Sequence, residues 1–531
     1  MNSNTIILSL LNKSTNFFGQ LIISHCEKFI RLIVISVVLV SFVSCDTDEP
    51  TIPTTNNEYS EQYRPQIHFS AKRNWINDPN GLVYFDGEYH LFYQHNPLGP
   101  EWGNMSWGHA ISTDLIHWKQ LNVALMPDDL GDIFSGCAVI DKNNTAGFGN
   151  NAMVAIYTSA GKVQSQSIAY STDKGRTFTK YSANPVLANP GIADFRDPKV
   201  FWHNESNQWI MSLATNQTIS FYGSANLKSW TRLSEFGNGI GSHGGVWECP
   251  DLFPLSTENG KKWVLLVSNS GAPNGGTGTQ YFIGNFDGTN FTAEDAPYPL
   301  WLDYGKDNYA GVTWDNIPEN DGRRLHIGWM NNWQYANNIP VFNIAPKGAR
   351  GSMTLVRELK LEMHPEGYFL LKNKVVSEVE SIANDWKTIV DEAFTSKTVA
   401  LNTGNKKAYQ LQLIGKTSDS ETLSLKLSNS KNEFCSITID ARKLIFKRSD
   451  SGIVNFADAF SDNSESPVFG NTNPVKLDIY VDQSSVEIFV NDGAVSLTNL
   501  VFPSSLYDVL TVESNNSHVN TKFRTFNSIW E

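Results

Sequence analysis

Three acidic residues of the sequence stand at comparable points of a recurring pattern. Asp78 lies in "WINDPNG", Asp197 in "FRDP" and Glu248 in "WECPD", and each precedes a strongly hydrophobic segment by 11 to 15 residues. Turn-forming residues surround Asp78, so a purely structural role is the alternative for that position. Equivalent positions in repeated units predict that the three carboxyl groups converge in the folded chain.

Carboxyl groups that converge in this way suit two kinds of chemistry. Two of them that flank a bond, one protonated and the other ionised, are the working groups of glycoside hydrolysis. Three together could instead hold Ca²⁺ or Mg²⁺. The three acids have different neighbours, and different surroundings give carboxyl groups different pKa values. Carboxyl groups that take different catalytic roles need different pKa values, whereas carboxyl groups that hold one metal ion do not. The different neighbours therefore favour hydrolysis.

The residues next to two of the acids predict their roles. Arg196 is expected to hold Asp197 ionised. Trp247 and Cys249 are expected to desolvate Glu248 and to favour its protonated form. Glu248 is therefore the predicted proton donor.

Tryptophans near these motifs could hold a sugar ring. Trp102 and Trp107 in "EWGNMSWGHA" and Trp329 in "GWMNNW" offer flat faces for that purpose. Packing in the core is the alternative for each of them.

Hydrophobic strand-like segments recur at intervals of about 54 to 64 residues: "YHLFYQ" at 89, "AMVAIYTS" at 152, "QWIMSLAT" at 208, "KWVLLVSN" at 262 and "RLHIGWMN" at 324. This spacing fits a four-stranded antiparallel sheet with its turns. A more polar strand precedes each segment, and the three acids lie at the starts of such strands. The pattern predicts an all-β fold with a five-bladed propeller over residues 63–365, whose first strands line the central channel.

The character of the chain changes after residue 365. Residues 366–389 are a predicted linker that contains a candidate helix, "NKVVSEVESIANDW", with Val375, Val379 and Ile382 at helical spacing. From residue 390 to 531, strand-like runs such as "KLDIYVDQSSVEIFVNDG" alternate with turns. They predict a β-sandwich without evident chemistry.

Composition limits the partners. The chain has 531 residues, of which 18% are charged and 12% aromatic, and its net charge is -13. A net negative charge argues against nucleic acid and against an anionic membrane surface as binding partners. The cysteines of the folded part, Cys137, Cys249 and Cys435, are odd in number and far apart, so neither a disulfide framework nor a thiolate metal cluster is indicated.

Residues 1–45 resemble a signal peptide with a lipoprotein cleavage box. Thirteen uncharged residues, "LIVISVVLVSFVS", are too few to span a bilayer comfortably but suit a signal-peptide core. Cleavage would leave Cys45 as the lipidated first residue, and a short anchor with an incidental cysteine is the alternative. Residues 46–62 are predicted to be a flexible tether. We therefore expect an exported lipoprotein with a lipid anchor, at the outer-membrane surface or in the periplasm.

The three acidic motifs resemble the signatures of glycoside hydrolase family 32, which includes invertases, inulinases and levanases. They occur in order, with further matches in "FYQHNP", "WGNMSWGHA", "FSG" at 134, "DYGKDNYA" and "SSVEIFVNDG". The likeness covers about residues 65–531. It implies a propeller joined to a β-sandwich, and hydrolysis of β-fructofuranosyl linkages with retention of configuration. It also implies that neither a metal nor an organic cofactor takes part.

The resemblance assigns roles to individual residues. Asp78 would be the nucleophile, Glu248 the general acid and base, and Asp197 the stabiliser of the transition state. Retention implies that the carboxyl groups of Asp78 and Glu248 lie roughly 5 to 5.5 Å apart. The other predicted sugar-binding residues are Asn77, Gln94, Trp102, Phe134, Ser135, Arg196 and Trp329.

A sialidase, a related propeller glycosidase and a glycan-binding lipoprotein are the alternative functions. "STDKGRTF" resembles a turn of sialidase propellers. A sialidase needs several arginines to bind the carboxylate of its substrate, and among the channel-strand motifs only Arg196 is basic. A sister propeller family acts on arabinans and xylans, but the motifs "WINDPNG" and "WECPD" speak against it. A glycan-binding lipoprotein without catalysis would be expected to lack one of the three acids, and all three are present. A tethered hydrolase suits a fructan, levan or inulin, better than sucrose, and the sequence does not decide between exo and endo cleavage.

Overall fold

Five antiparallel sheets form a ring in the computed structural model, which describes residues 59–341, 348–418, 421–469 and 473–530. The first strands of the sheets are β1 (Asn74–Phe85), β5 (Asp132–Asp141), β9 (Phe195–His203), β13 (Glu248–Thr257) and β18 (Tyr309–Thr313). Each contacts the next, and β18 contacts β1, so the ring closes around a central channel. The predicted five-bladed propeller is confirmed.

The second strands of the blades are the five hydrophobic segments of the sequence. They are β2 (Glu88–Asn96), β6 (Ala152–Ala160), β10 (Gln208–Thr215), β14 (Gly260–Asn269) and β19 (Arg324–Trp329). Most of their residues are buried on both faces. Because they lie inside a sheet and between adjacent blades, their central residues are buried and rich in hydrophobic side chains rather than strictly alternating.

The third and fourth strands complete each blade outwards. They are β3 (Ser106–Ser112) and β4 (Lys119–Gln120), β7 (Gln164–Ser171) and β8 (Thr179–Lys180), β11 (Thr218–Ser224) and β12 (Thr231–Phe236), and β15 (Gly278–Phe286) with β16 (Phe291–Ala293) and β17 (Leu300–Trp301). A short strand, β20 (Ala349–Arg350), joins β1 in parallel.

The fifth blade ends later than the sequence suggests. Its outer strands are β21 (Arg357–Met363) and β22 (Phe369–Val375), so the blade takes in part of the predicted linker 366–389. The helix predicted over 373–386 is wrong in extent, because only a 3₁₀ helix, Ser377–Ile382, forms there. β-Branched Val375 ends a strand that pairs with Arg357, and sheet pairing wins over the helical spacing.

The C-terminal region is a β-sandwich-like sheet, as predicted. Its strands are β23 (Lys387–Ala400), β24 (Tyr409–Gly415), β25 (Leu423–Ser428), β26 (Phe434–Ile439), β27 (Lys443–Asp450), β28 (Ser464–Pro467), β29 (Val475–Asp482), β30 (Ser485–Val490), β31 (Val495–Leu500) and β32 (Val509–Thr525). The long strand β32 pairs with β25 along its first part and with β24 along its last part. It therefore joins the two layers.

Strand β31 of the sandwich contacts the segment that leads into the fifth blade. The Tyr304 and Asp307 amides donate to the carbonyls of Ser496 and Thr498 at 2.8 and 3.0 Å. A side chain at Gly305 would collide with the backbone of Thr498. The sandwich thus fixes residues 303–308, directly before Tyr309 of β18.

Two further short helices, Ala336–Asn338 and Asp458–Ser461, lie in connecting segments. Within the described ranges, no helix has the length and apolar character needed to cross a membrane.

Candidate active site

A cavity of about 300 Å³ lies at one end of the propeller channel, where the first strands begin. Three blades bring their acids to it: Asp78 from β1, Asp197 from β9 and Glu248 from β13. The remaining lining residues are Asn77, Gln94, Trp102, Phe134, Ser135, Arg196 and Trp333. The structure therefore brings together every residue predicted for the sugar site except Trp329.

A β-bulge interrupts each of the five first strands at the level of this cavity. The register shifts fall between Ile76 and Pro79, Ile133 and Gly136, Arg196 and Lys199, Glu248 and Asp251, and Tyr309 and Val312. Three residues within these bulges have left-handed backbone angles, namely Asp197 (φ 63°), Cys249 (φ 46°) and Ala310 (φ 54°). Bulges break the alternation of side chains, which lets neighbouring residues reach the channel mouth together.

Asp78 accepts hydrogen bonds from two neighbours. The Ser135 hydroxyl donates to one carboxylate oxygen at 2.6 Å, and the Asn77 amide donates to the other at 3.0 Å. Trp75 in turn donates to the Asn77 side-chain oxygen at 2.7 Å, which fixes the orientation of that amide. Burial raises the pKa of Asp78, the two donors oppose this shift, and the charge of Glu248 adds to it. The donors therefore favour the ionised form of a carboxyl group in a poorly solvated place.

Asp197 is the most enclosed of the three acids. Its carboxylate accepts the Cys249 amide at 3.0 Å, and the Cys249 sulfur lies 3.6 Å from an oxygen of Asp197 and 3.6 Å from one of Asp78. The Asp197 and Asp78 oxygens that contact this sulfur are therefore at most twice 3.6 Å apart. Burial raises the pKa of Asp197 to about 7, Arg196 lowers it, and the charges of Glu248 and Asp78 raise it. The three carboxyl groups resist being ionised all at once.

Glu248 is partly exposed to solvent. Its side chain is 25% exposed, and Arg196 donates to one of its oxygens from Nη2 at 2.9 Å and from Nε at 3.2 Å. The Tyr309 hydroxyl donates to its other oxygen. Glu248 is thus held on two sides while staying accessible to water, as a group that exchanges protons requires.

Burial raises the pKa of Asp197 to about 7, and Arg196 lowers this pKa as expected but does not outweigh burial. The Arg196 Nε lies 4.0 Å from Asp197, whereas the guanidinium donates to both Glu248 and Asp194. Trp247 is turned away from Glu248, because its indole donates to the Ser242 carbonyl at 2.8 Å inside a buried cluster. Successive side chains of a strand point to opposite faces, so sequence neighbours need not share an environment.

Trp329 does not line the site, which corrects its predicted role in binding sugar. It is fully buried and packs against Trp75 and Trp333, with ring centroids 5.8 and 4.8 Å apart. Trp329 ends β19 and therefore faces the core, whereas Trp333 lies in the following loop and lines the cavity. Trp107, also considered for this role, is buried.

After Trp333, Tyr309 is the second residue of the candidate site that the sequence did not predict. It begins β18, and its hydroxyl reaches Glu248 across the channel mouth. The signal was present in "DYGKDNYA", whose last tyrosine starts a channel-lining strand.

Metal binding is not supported by the arrangement. In the described part of the chain, no group of three or more His, Cys, Asp or Glu side chains is placed to hold a metal ion. The guanidinium of Arg196 also occupies the space beside Glu248, where it would repel a divalent cation.

A five-bladed propeller that gathers three carboxyl groups, an arginine and tryptophans at one channel mouth has the working parts of a glycoside hydrolase. The chain belongs to glycosyl hydrolases family 32. The family's N-terminal domain matches residues 68–372, and its C-terminal domain matches residues 378–530.

Individual relatives agree with this assignment. A levanase of Bacillus subtilis is 47% identical over 488 residues, covering 89% of this chain and 71% of the levanase. An extracellular exo-inulinase of Aspergillus awamori is 42% identical over 497 residues, covering 84% and 91%. The crystal structure of exo-inulinase from Aspergillus awamori superposes with a TM-score of 0.81 at 37% identity, covering 89% of this chain and all of that one. A fructofuranosidase variant from Schwanniomyces occidentalis, complexed with fructosylnystose, gives 0.80 at 31% identity and covers 89% and 99%.

Proposed function

We propose that the protein hydrolyses β-fructofuranosyl linkages of fructans, levan or inulin, and that sucrose is a smaller substrate with the same terminal unit. The observation that carries the proposal is the convergence of Asp78, Asp197 and Glu248 on one cavity. Relatives named levanase and exo-inulinase support the choice of a fructosyl substrate.

In the first step Asp78 is the nucleophile. A bond forms between its carboxylate oxygen and C2 of the fructosyl unit, while the bond from C2 to the glycosidic oxygen breaks. Glu248 gives its proton to the departing oxygen, and the charge of Asp197 stabilises the positive charge on the ring. The donors on Asp78, Ser135 and Asn77, favour the ionised form that this attack needs.

In the second step water releases the sugar. Glu248, now ionised, takes a proton from a water molecule whose oxygen attacks C2, and the bond between C2 and Asp78 breaks. Two inversions at C2 give retention of configuration. Arg196 and Tyr309 hold the Glu248 carboxylate in place for both proton transfers.

The other lining residues would bind the fructosyl unit. Asn77, Gln94, Ser135 and Arg196 offer polar groups for its hydroxyls, and the aromatic rings of Trp102, Phe134 and Trp333 offer apolar faces. Trp102 is 44% exposed and lies towards the solvent, so it is placed to contact a sugar beyond the terminal unit.

Product analysis on levan, inulin and sucrose tests the proposal. Release of fructose alone means exo cleavage, and a ladder of oligosaccharides means endo cleavage. Release of pentoses from arabinan or xylan without activity on fructans would favour the sister propeller family. Binding of levan in calorimetry without release of reducing sugar would favour a glycan-binding lipoprotein.

We also propose that the enzyme is exported and anchored through a lipid on Cys45, with residues 46–62 as a tether and the propeller and sandwich as the folded part. Residues 1–58 lie outside the described part of the chain, whereas residues 59–62 of the predicted tether pack on the folded part: Tyr59 stacks on Trp530 with ring centroids 4.1 Å apart, and Gln62 donates to the Ser504 carbonyl at 3.2 Å. The extracellular exo-inulinase of Aspergillus awamori is a relative that works outside its cell. Labelling of cells with radioactive palmitate should mark the protein, and Cys45→Ala should abolish the label. Equal labelling of both proteins would contradict the anchor.

A further inference from the structure

A second cavity lies at the other end of the propeller channel, where the first strands end. Its volume is about 510 Å³, against about 300 Å³ for the active site. Residues of β5, β9 and β13 line it together with the segment after β18. The proposed hydrolysis uses none of these residues. We call this space the distal cavity.

A buried ion pair on the wall of the distal cavity is only partly satisfied. Lys199 lies 3.3 Å from one carboxylate oxygen of Asp251 and donates to the Thr313 carbonyl at 2.5 Å. The same Asp251 oxygen accepts from the amide and the hydroxyl of Thr313 at 2.6 and 2.8 Å. The other oxygen of Asp251 is buried and has no partner among the described residues. A buried acceptor of this kind is normally hydrogen-bonded.

A second cation and a second carboxylate face the same space. Arg324 lies over the Phe253 ring at 4.9 Å and donates to the Trp314 carbonyl at 3.2 Å. Burial raises the pKa of Asp315, while the charges of Lys199 and Arg324 lower it. The lining as a whole holds four cationic side chains and five carboxyl groups, namely Lys142, Lys199, Lys261 and Arg324, and Asp141, Glu205, Asp251, Asp315 and Glu319.

Aromatic rings form part of the wall. Phe201, Trp202 and Phe253 line the distal cavity, and the half-buried Trp202 ring meets Trp209 edge to face at 5.2 Å between centroids. Apolar faces beside paired charges can contact the CH groups of a ligand whose polar groups reach the charged side chains.

We propose that the distal cavity is a second binding site, for a short neutral saccharide. Sugar hydroxyls both donate and accept hydrogen bonds, so one ligand can accept from Arg324 and donate to the partly exposed Asp315 carboxyl group on the same wall. A lining with one more carboxyl group than cationic side chains, in a chain of net charge -13, disfavours an anionic ligand. The volume falls within the range of roughly 300 to 1,000 Å³ that is typical of small-molecule pockets.

Equilibrium dialysis with radiolabelled fructose and with 1-kestose tests the site. The parent protein is the full chain with Glu248→Gln, which removes turnover of 1-kestose. Trp202→Ala is added to this parent, with Trp202→Phe as the conservative variant and Trp230→Ala as a matched control on the outer part of the third blade. In the otherwise wild-type chain, Trp202→Ala should leave kcat on sucrose unchanged, which verifies the fold.

We expect the parent to bind one more equivalent of saccharide than the Trp202→Ala variant. The Trp202→Phe variant should recover much of that binding, and the Trp230→Ala control should bind like the parent. Equal stoichiometry in the parent and the Trp202→Ala variant would overturn the distal site. The number of bound saccharides per protein does not depend on turnover. Equal stoichiometry would therefore refute the distal site without refuting the proposed hydrolysis.

Discussion

The hydroxyl of Tyr309 donates a hydrogen bond to the carboxylate of Glu248, joining the first strands of the fifth and fourth blades at the channel mouth. Arg196 holds the other Glu248 oxygen from the third blade. The group proposed to move protons is therefore oriented by two neighbouring blades. Its position depends on the closure of the ring rather than on one strand.

Tyr309→Phe should lower kcat by about tenfold to a hundredfold, with little change in KM. A hydrogen bond to a charged group contributes about 1.5 to 3 kcal/mol, and its loss lets the Glu248 carboxylate rotate away from the glycosidic oxygen. Steady-state kinetics on inulin and sucrose measure both constants. Tyr170→Phe, on the outer part of the second blade, is the control and should behave like the wild type. An unchanged kcat for Tyr309→Phe would show that Arg196 alone orients Glu248.

Arg448→Met should destabilise the folded protein by about 3 to 5 kcal/mol, because it leaves Asp307 charged and buried. Arg448 donates to Asp307 at 2.6 Å and to the Tyr335 hydroxyl at 2.8 Å, and all three residues are buried. Denaturant unfolding measures the loss. Lys397→Met, which breaks an exposed pair with Glu392, should cost less than about 1 kcal/mol. Equal losses in the two variants would contradict a special role of the buried pair.

Stability should fall as the pH rises from about 7 to about 10. Burial alone would lower the pKa of His68, but hydrogen bonds to Asp482 and Glu487, each at 2.7 Å, raise it to about 9. Since this pKa is raised above the ordinary value of 6.5, the stabilisation is fully present below about 6.5 and is lost as the pH passes 9. The contribution is about 3 kcal/mol.

Thermal unfolding of the wild type and of His68→Gln across this range provides the check. The wild type should lose stability more steeply with pH than the variant. Parallel pH profiles would show that His68 does not carry the charge assigned to it.

Two nearby tryptophans should respond differently to the same change. Trp333→Ala removes a ring that lines the active site, and we expect KM to rise about tenfold, which corresponds to about 1.4 kcal/mol. Trp329→Ala removes a fully buried ring and should cost about 3 to 5 kcal/mol of folding free energy. Kinetics and denaturant unfolding of both variants separate the roles. A large effect of Trp329→Ala on KM with unchanged stability would reverse the assignment.

The sequence predicted the blades because each combines a polar channel strand with a strand rich in hydrophobic residues, and turns separate the strands. It predicted the convergence of Asp78, Asp197 and Glu248 because these residues occupy equivalent positions. It could not predict the contacts across the channel. Arg196 meets Glu248 because two bulged strands lie side by side, and nothing in either local sequence shows that register.

The sequence also could not predict where a residue lies within a strand or the loop that follows it. Trp329 and Trp333 are four residues apart in one motif, yet the end of β19 between them sends one ring to the core and the other to the cavity. Val375, read as part of a helix, ends a strand instead. Such boundaries depend on pairing with distant strands.

In the proposed mechanism, Asp78 forms a covalent bond to the fructosyl unit while Glu248 moves the protons. Mass spectrometry of the Glu248→Ala variant, mixed rapidly with an activated aryl fructofuranoside, tests it most directly, because that variant keeps the nucleophile and lacks the base for release. We predict a fructosyl adduct on the peptide that contains Asp78, absent when Asp78→Asn is added. An adduct on Asp197, or turnover of the aryl fructofuranoside by the double variant, would contradict the account.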